Sequence, residues 1–286
     1  MRRRRIFGED HPDTLTTARH LGLLVWYLGD YQQAGQLEND TLTRCRRILG
    51  EDHPDTLYSA GILGMSLWGL GDYQQARQLQ TDTLVRSRQS LGEDHSTTLF
   101  SALVLGRILW SLGDYPQARQ LQTDTLARSR RVLGEDHIIT LTAASLLGLV
   151  LWSLGEHQQA RQLQSDALTR SRRIRGEDHP ETLRAASLLG LTLGSLGEHQ
   201  QARQLQTDTL TRRRRILGED HPETLTSASR LAADLRALGE HQQARTLDED
   251  TLTRRRRILG EDHPDTLTSA HNLTADLRAL GEPDQT

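Results

Sequence analysis

The segment ILWSLGDYPQA, Ile108 to Ala118, decides the fold because it keeps returning in one phase. It recurs as VWYLGDYQQA from Val25, LWGLGDYQQA from Leu67 and LWSLGEHQQA from Leu151, so Trp26, Trp68, Trp110 and Trp152 lie 42 residues apart. The chain has no other tryptophan. The tripeptide GED marks the same period outside the tryptophan segments, at Gly8, Gly50, Gly92, Gly134, Gly176, Gly218 and Gly260, without insertion or deletion. A fixed period of this length signals stacked units, each burying against its neighbour what it cannot bury alone. The expected organisation is one array with no interior boundary. Residues 1–7 match the end of a preceding second helix, residues 8–259 form six full repeats, and residues 260–286 form a closing first helix and tail.

Each unit reads as two helices separated by a glycine. In the first, Leu15, Ala18, Leu21, Gly22, Val25 and Leu28 recur in steps of three and four and form the expected buried stripe. Gly29 ends that helix and Asp30, or Glu156 in a later unit, opens the next with an acidic group at the positive end of its dipole. The second helix is expected to bury Ala34, Leu37, Leu42 and Ile48 and to stop at Gly50, each helix running about 18 residues or roughly 27 Å. In GEDHP, glycine stops one helix, the aspartate is expected to cap the next, and proline fills its first turn, where a missing N–H costs nothing. The closing helix carries Asn272, Asp276 and Arg278 as an expected polar cap.

The series Leu21-Gly22, Gly29 and Ala34, repeated in register, resembles the tetratricopeptide repeat. The period and the HPDTL opening from His11 are similar to the longer variety found in kinesin light chains and many bacterial regulatory or scaffold proteins. The aromatic expected late in the second helix is replaced by Glu38, Gln80 or Gln122, and the proline at its end is absent, which fits a longer second helix. The resemblance implies an all-α, right-handed α-solenoid of antiparallel helix pairs.

A second stripe on the first helix runs through Thr16, Arg19, Leu23 and Trp26, then Tyr58, Gly61, Met65 and Trp68, then Phe100, Leu103, Arg107 and Trp110, then Thr142, Ser145, Leu149 and Trp152. Tyr27 adjoins the first tryptophan and is counted with this set. The resemblance implies that these positions line a concave inner surface. In later units the tryptophan position holds Gly194, Arg236 and Arg278, and a site that accepts arginine in one repeat is hard to reconcile with full burial in another. Exposed aromatic area of this kind suits a protein or peptide ligand, with Arg19, Arg107 and Arg184 available to fix acidic groups. Two alternatives stand beside it: a homo-oligomer joined through the N-terminal face or the aromatic surface, and a consensus-like array without a dedicated ligand.

Other chemistries find little support. The net charge of −3, with no lysine, argues against a general polyanion binder. The arginine runs Arg2 to Arg5, Arg212 to Arg215 and Arg254 to Arg257 sit in the last turns of second helices and read as paired, solvated surface rather than a nucleic-acid contact. Pairs such as Asp52-His53 and Asp178-His179 occur once per unit at helix starts, too far apart to converge on a metal. No GxSxG, GxxxxGKS or GxGxxG motif occurs, so an enzyme is not expected and no cofactor is called for. Cys45 is the only cysteine, and no apolar run approaches the roughly 20 residues that span a bilayer. The opening MRRRRIF lacks the apolar segment of a signal peptide. A cytoplasmic protein with no membrane contact is expected.

Overall fold

The computed structural model describes residues 8–282, and the heptapeptide 1–7 expected to end a preceding helix lies outside them, as does the tail from residue 283. The described residues form thirteen α-helices and no strand. The first helices of the repeats are α1 (Pro12–Tyr27), α3 (Pro54–Gly69), α5 (Ser96–Ser111), α7 (Ile138–Ser153), α9 (Pro180–Ser195), α11 (Pro222–Ala237) and the closing α13 (Pro264–Leu280). The second helices are α2 (Tyr31–Leu49), α4 (Tyr73–Leu91), α6 (Tyr115–Leu133), α8 (His157–Arg175), α10 (His199–Leu217) and α12 (His241–Leu259). Six first helices have 16 residues and every second helix has 19, so the pair is less equal than the pattern suggested. The chain divides into two compact units, one ending at Leu147 and the other beginning at Gly148. Within each, consecutive helices pack against one another, and first helices also touch the next first helix, as α1 touches α3, α3 touches α5 and α9 touches α11.

The helix ends follow from glycine and histidine. Every residue with positive φ among the described residues is a glycine; Gly71 (+84°) and Gly92 (+87°) end a first and a second helix in a conformation that a side chain would strain. The cap of the first helix is the histidine of GEDHP, not the aspartate. Nδ1 of His53 accepts from the Asp55 N–H at 3.1 Å and Nδ1 of His179 from that of Glu181 at 3.2 Å, and His11, His95, His137, His221 and His263 do the same. The aspartate is thereby released to bind arginine. Asp178 holds Arg212 at 2.8 Å and Arg215 at 2.6 Å, Asp220 holds Arg254 at 2.7 Å and Arg257 at 2.6 Å, and Glu219 pairs with Arg214 at 2.9 Å. In the two runs among the described residues, the second arginine departs from the expected solvated surface. Arg213 and Arg255 turn inward and are only 2% and 4% exposed.

A polar residue lies at the centre of each complete repeat. Gln80, Gln122, Gln164 and Gln206 are fully buried, each under the glycine of the Leu-Gly pair. Gln80 donates from Nε2 to the Ala60 carbonyl at 2.7 Å, and a Cβ on Gly64 would collide with that amide. The glycine is required by close approach, and the amide occupies the space where the resembling family carries an aromatic. The first repeat substitutes Glu38 and the last Asp248, both fully buried.

Several expected core positions are corrected. Of the expected stripe Leu15, Gly22 and Val25 are buried and Ala18 partly so, but Leu21 on α1 and Leu28 just after it are 50% and 71% exposed, as is the neighbouring Leu24 at 60%. In α3 the equivalent Ser66 is buried and Leu63 and Leu70 are partly covered, because α2 packs on that helix. Ile48 is exposed near the end of α2. Asp276 is not cap surface: it is buried and holds Arg236 at 2.5 Å.

Candidate functional site

The stripe of unit 1 is divided by its surroundings into a sealed part and an accessible part. Trp26 is 3% exposed, with its ring against Tyr27 (centroids 5.3 Å) and Tyr31 (5.7 Å) and its Nε1 donating to the Met65 carbonyl at 3.2 Å. It is a packing residue and does not face a groove, contrary to expectation. Leu103 and Leu149 are also buried, because each turns into the helix layer. Leu23, Tyr27, Tyr58, Met65, Trp68, Phe100, Arg107 and Trp110 keep partial exposure, as does Trp152 in unit 2.

The indole nitrogens act as links between repeats. Trp68 donates from Nε1 to Oγ of Ser111 at 2.7 Å, and Trp152 donates to Oγ of Ser195 at 2.6 Å, each bond reaching 43 residues ahead. The residue after the tryptophan position is the acceptor in both cases. These bonds fix the spacing of adjacent first helices while leaving ring edges partly accessible. The structure gives Trp26 wholly to packing and Trp68 in part.

Aromatic and cationic side chains interleave along the accessible row. Tyr58 and Phe100 stack across α3 and α5 with centroids 4.8 Å apart, and the Phe100 ring lies so close to Gly61 that a Cβ there would fall 2.6 Å from it. Arg107 lies over the Trp68 ring at 3.9 Å, a cation–π contact. Arg19 lies over Tyr58 at 5.1 Å and pairs with the Asp55 carboxylate. Arg184 pairs with Glu181 at 3.2 Å. The three arginines expected to await an acidic ligand are therefore engaged with protein groups, and Arg19 and Arg107 shape the row more than they charge it.

Several buried ionisable groups escaped the sequence reading, Glu38 and Asp234 among them. Burial pushes the Glu38 carboxyl up to about 8, against the opposing pull of Arg19 and Ser59. Burial likewise pushes Asp234 up to about 7. Their signal in the sequence is a carboxylate at a position that glutamine or an apolar residue fills in other repeats, such as Gln80 for Glu38 and Ile108 for Asp234.

Known proteins match in the same terms. A family model described as tetratricopeptide repeat matches residues 59–130, 98–173, 140–215, 195–255 and 223–285, and a second of the same description matches 14–55. Among solved structures, a Podosopora anserina protein described as a kinesin light chain of nearly identical TPR-like repeats is 23% identical, with 72% of this chain and 97% of that chain covered and a TM-score of 0.55. NprR in complex with its cognate peptide NprX is 12% identical over 95% of this chain and 74% of that chain, with a TM-score of 0.68. A Rap protein complexed with competence and sporulation factor is 11% identical over 92% and 74%, with a TM-score of 0.63. At these identities the likeness extends to the fold alone. No curated protein matches the chain.

Proposed function

Because the chain belongs to the tetratricopeptide-repeat family, we propose that it is a non-catalytic scaffold or sensor module that holds a protein or peptide ligand against the partly exposed aromatic row of unit 1. The observation that carries this reading is the stacked Tyr58–Phe100 pair beside Met65 and the Arg107-capped Trp68, which together leave apolar and aromatic area accessible on neighbouring first helices. Stacked rings and a guanidinium with little rotamer freedom left to lose favour association with bulky apolar side chains. Two solved structures of this fold, NprR and a Rap conjugation gene regulator, carry bound peptides, which supports a peptide as the ligand class. Cys45 is a free buried thiol, which suits a reducing cytoplasm.

The test uses substitutions that the chain itself supplies. Threonine stands at positions 16, 142, 226 and 268, equivalent to Tyr58 and Phe100, so Tyr58→Thr with Phe100→Thr removes the rings at positions where threonine is native to the fold. A peptide library panned on the wild-type protein should enrich sequences that bind the double variant at least tenfold more weakly; equal binding by the folded variant refutes the reading. Self-association is the second reading, favoured by the exposed Leu21, Leu24 and Leu28 face of α1. It requires a mass that rises with concentration and falls back in Leu24→Glu.

A further inference from the structure

Unit 2 carries a group of four guanidiniums that the aromatic row does not involve. Arg213 enters from α10, donating to the Glu223 carbonyl at 2.7 Å, to the Glu223 carboxylate at 2.6 Å and to Oγ of Ser227 at 2.8 Å. Arg255 enters from α12 and donates to the Asp265 carbonyl at 3.0 Å and Oγ of Ser269 at 2.8 Å. Arg230, from α11, reaches back to Oγ of Ser187 at 2.7 Å. Arg184, from α9, lies at the rim between Glu181 at 3.2 Å and Glu223 at 3.9 Å.

The charges of this group do not balance. Among the described residues neither Arg230 nor Arg255 has a carboxylate oxygen within 4.0 Å, and their partners are hydroxyls and a backbone carbonyl. The nearby acids are Glu181, Glu223 and Asp265, three against four arginines. Asp248 also faces Arg255, but burial pushes its carboxyl up to about 8, so near neutral pH it adds no negative charge, and Asp276 alone offsets Arg236, which lies against both. A guanidinium withdrawn from water without a counterion is costly, and only an opposite charge with matching geometry offsets that cost. Burial, with the repulsion of Arg213 and Arg255, pulls the Arg230 guanidinium down to about 10 despite Glu223 and Asp265. Arg230 replaces Ile62, Val104, Leu146 and Leu188 of earlier repeats, and Arg255 replaces Ser87, Ser129 and Ser171. The chain thus places cations where its own repeats tolerate apolar or small residues. Arg184, Arg230 and Thr226 stay partly exposed, so the group is open to solvent on one side.

We propose that unit 2 holds an oxyanion-binding site in which Arg230, flanked by Arg213 and Arg255 and reached past Arg184, takes one phosphate or carboxylate group. The anion supplies the missing countercharge and accepts from guanidinium N–H groups already fixed by Ser187, Ser227 and Ser269. The site is independent of the aromatic row and stands or falls apart from it.

Calorimetric titration with inorganic phosphate and, separately, succinate at constant ionic strength tests the proposal. The wild type should bind at least one of them saturably, and the tighter of the two identifies the source as a phosphoryl or a carboxyl group. Arg230→Leu, which restores the residue of Leu146 and Leu188, should weaken that binding at least tenfold, and Arg255→Ser should weaken it too. In chloride alone Arg230→Leu should melt at or above the wild type, and added phosphate should raise the melting temperature of the wild type only. Arg46→Gln, in unit 1, should bind as the wild type does. Absence of saturable binding, unchanged affinity in Arg230→Leu, or equal loss in Arg46→Gln overturns the proposal.

Discussion

Replacing Glu38 by glutamine should stabilise the protein in a manner set by pH. Glu38 is fully buried beneath Gly22, at the position where four later repeats bury glutamine. Its carboxyl is pushed by burial from 4.5 to about 8, so the folded protein keeps a proton that the unfolded chain gives up. A group whose folded value is raised contributes fully below its unfolded value, and the contribution is lost as pH rises toward the folded value. At pH 7 the interval from 4.5 upward converts, at about 1.4 kcal/mol per unit, to ~3 kcal/mol of lost stability. Glutamine does not titrate, so Glu38→Gln removes this loss. The new amide can also donate to a carbonyl of α1 as Gln80 does to Ala60 in α3, adding on the order of 1 kcal/mol at every pH. Denaturant titrations of both proteins at pH 5, 7 and 8.5 should show a gap that widens between pH 5 and 8 and then levels. A gap of constant size, or none at pH 8.5, refutes the burial argument.

Four further outcomes follow from the geometry. His179→Asn should keep the helix cap without titrating: burial and Arg175 lower the His179 imidazole below 6.5, so the wild type should lose stability as pH falls below that value while the variant loses less, read as melting temperature between pH 7 and 5. His53→Ala should cost about 1 kcal/mol in denaturant unfolding, with His53→Asp recovering most of it. Gly64→Ala should cost about 1–3 kcal/mol, because its Cβ collides with the Gln80 amide, and Gln80→Ala should relieve part of the strain in the double variant. Trp68→Phe and Ser111→Ala should each cost about 1 kcal/mol with a non-additive double variant, since both remove one bond between repeats.

The repeat, the helix pair and its glycine stops were legible because spacing and backbone conformation are local properties. The phase of burial was less so. Leu21 and Leu28 sit in a regular apolar stripe, yet what partly covers the equivalent Leu63 and Leu70 is a second helix packed from the preceding repeat, a contact between elements that the stripe alone does not encode. Trp26 and Trp68 occupy the same position in the repeat. They differ because Tyr27 closes over the first, whereas Gly69, with no side chain, stands at the equivalent place beside the second. Histidine and aspartate compete for one cap, and the winner is decided by arginines 34 and 37 residues further on that draw the aspartate away, as Arg212 and Arg215 do with Asp178. Buried Gln80 and inward-facing Arg213 read as surface because polar residues betray burial only through partners on another helix.

The location of a bound peptide bears most directly on the binding account. Hydrogen–deuterium exchange of the protein with and without a library-selected peptide should show slowed exchange over α3 and α5, which carry Tyr58, Met65, Trp68, Phe100 and Arg107. Slowing confined to the second helices α2, α4 and α6, or no slowing in unit 1 at saturating peptide, contradicts it.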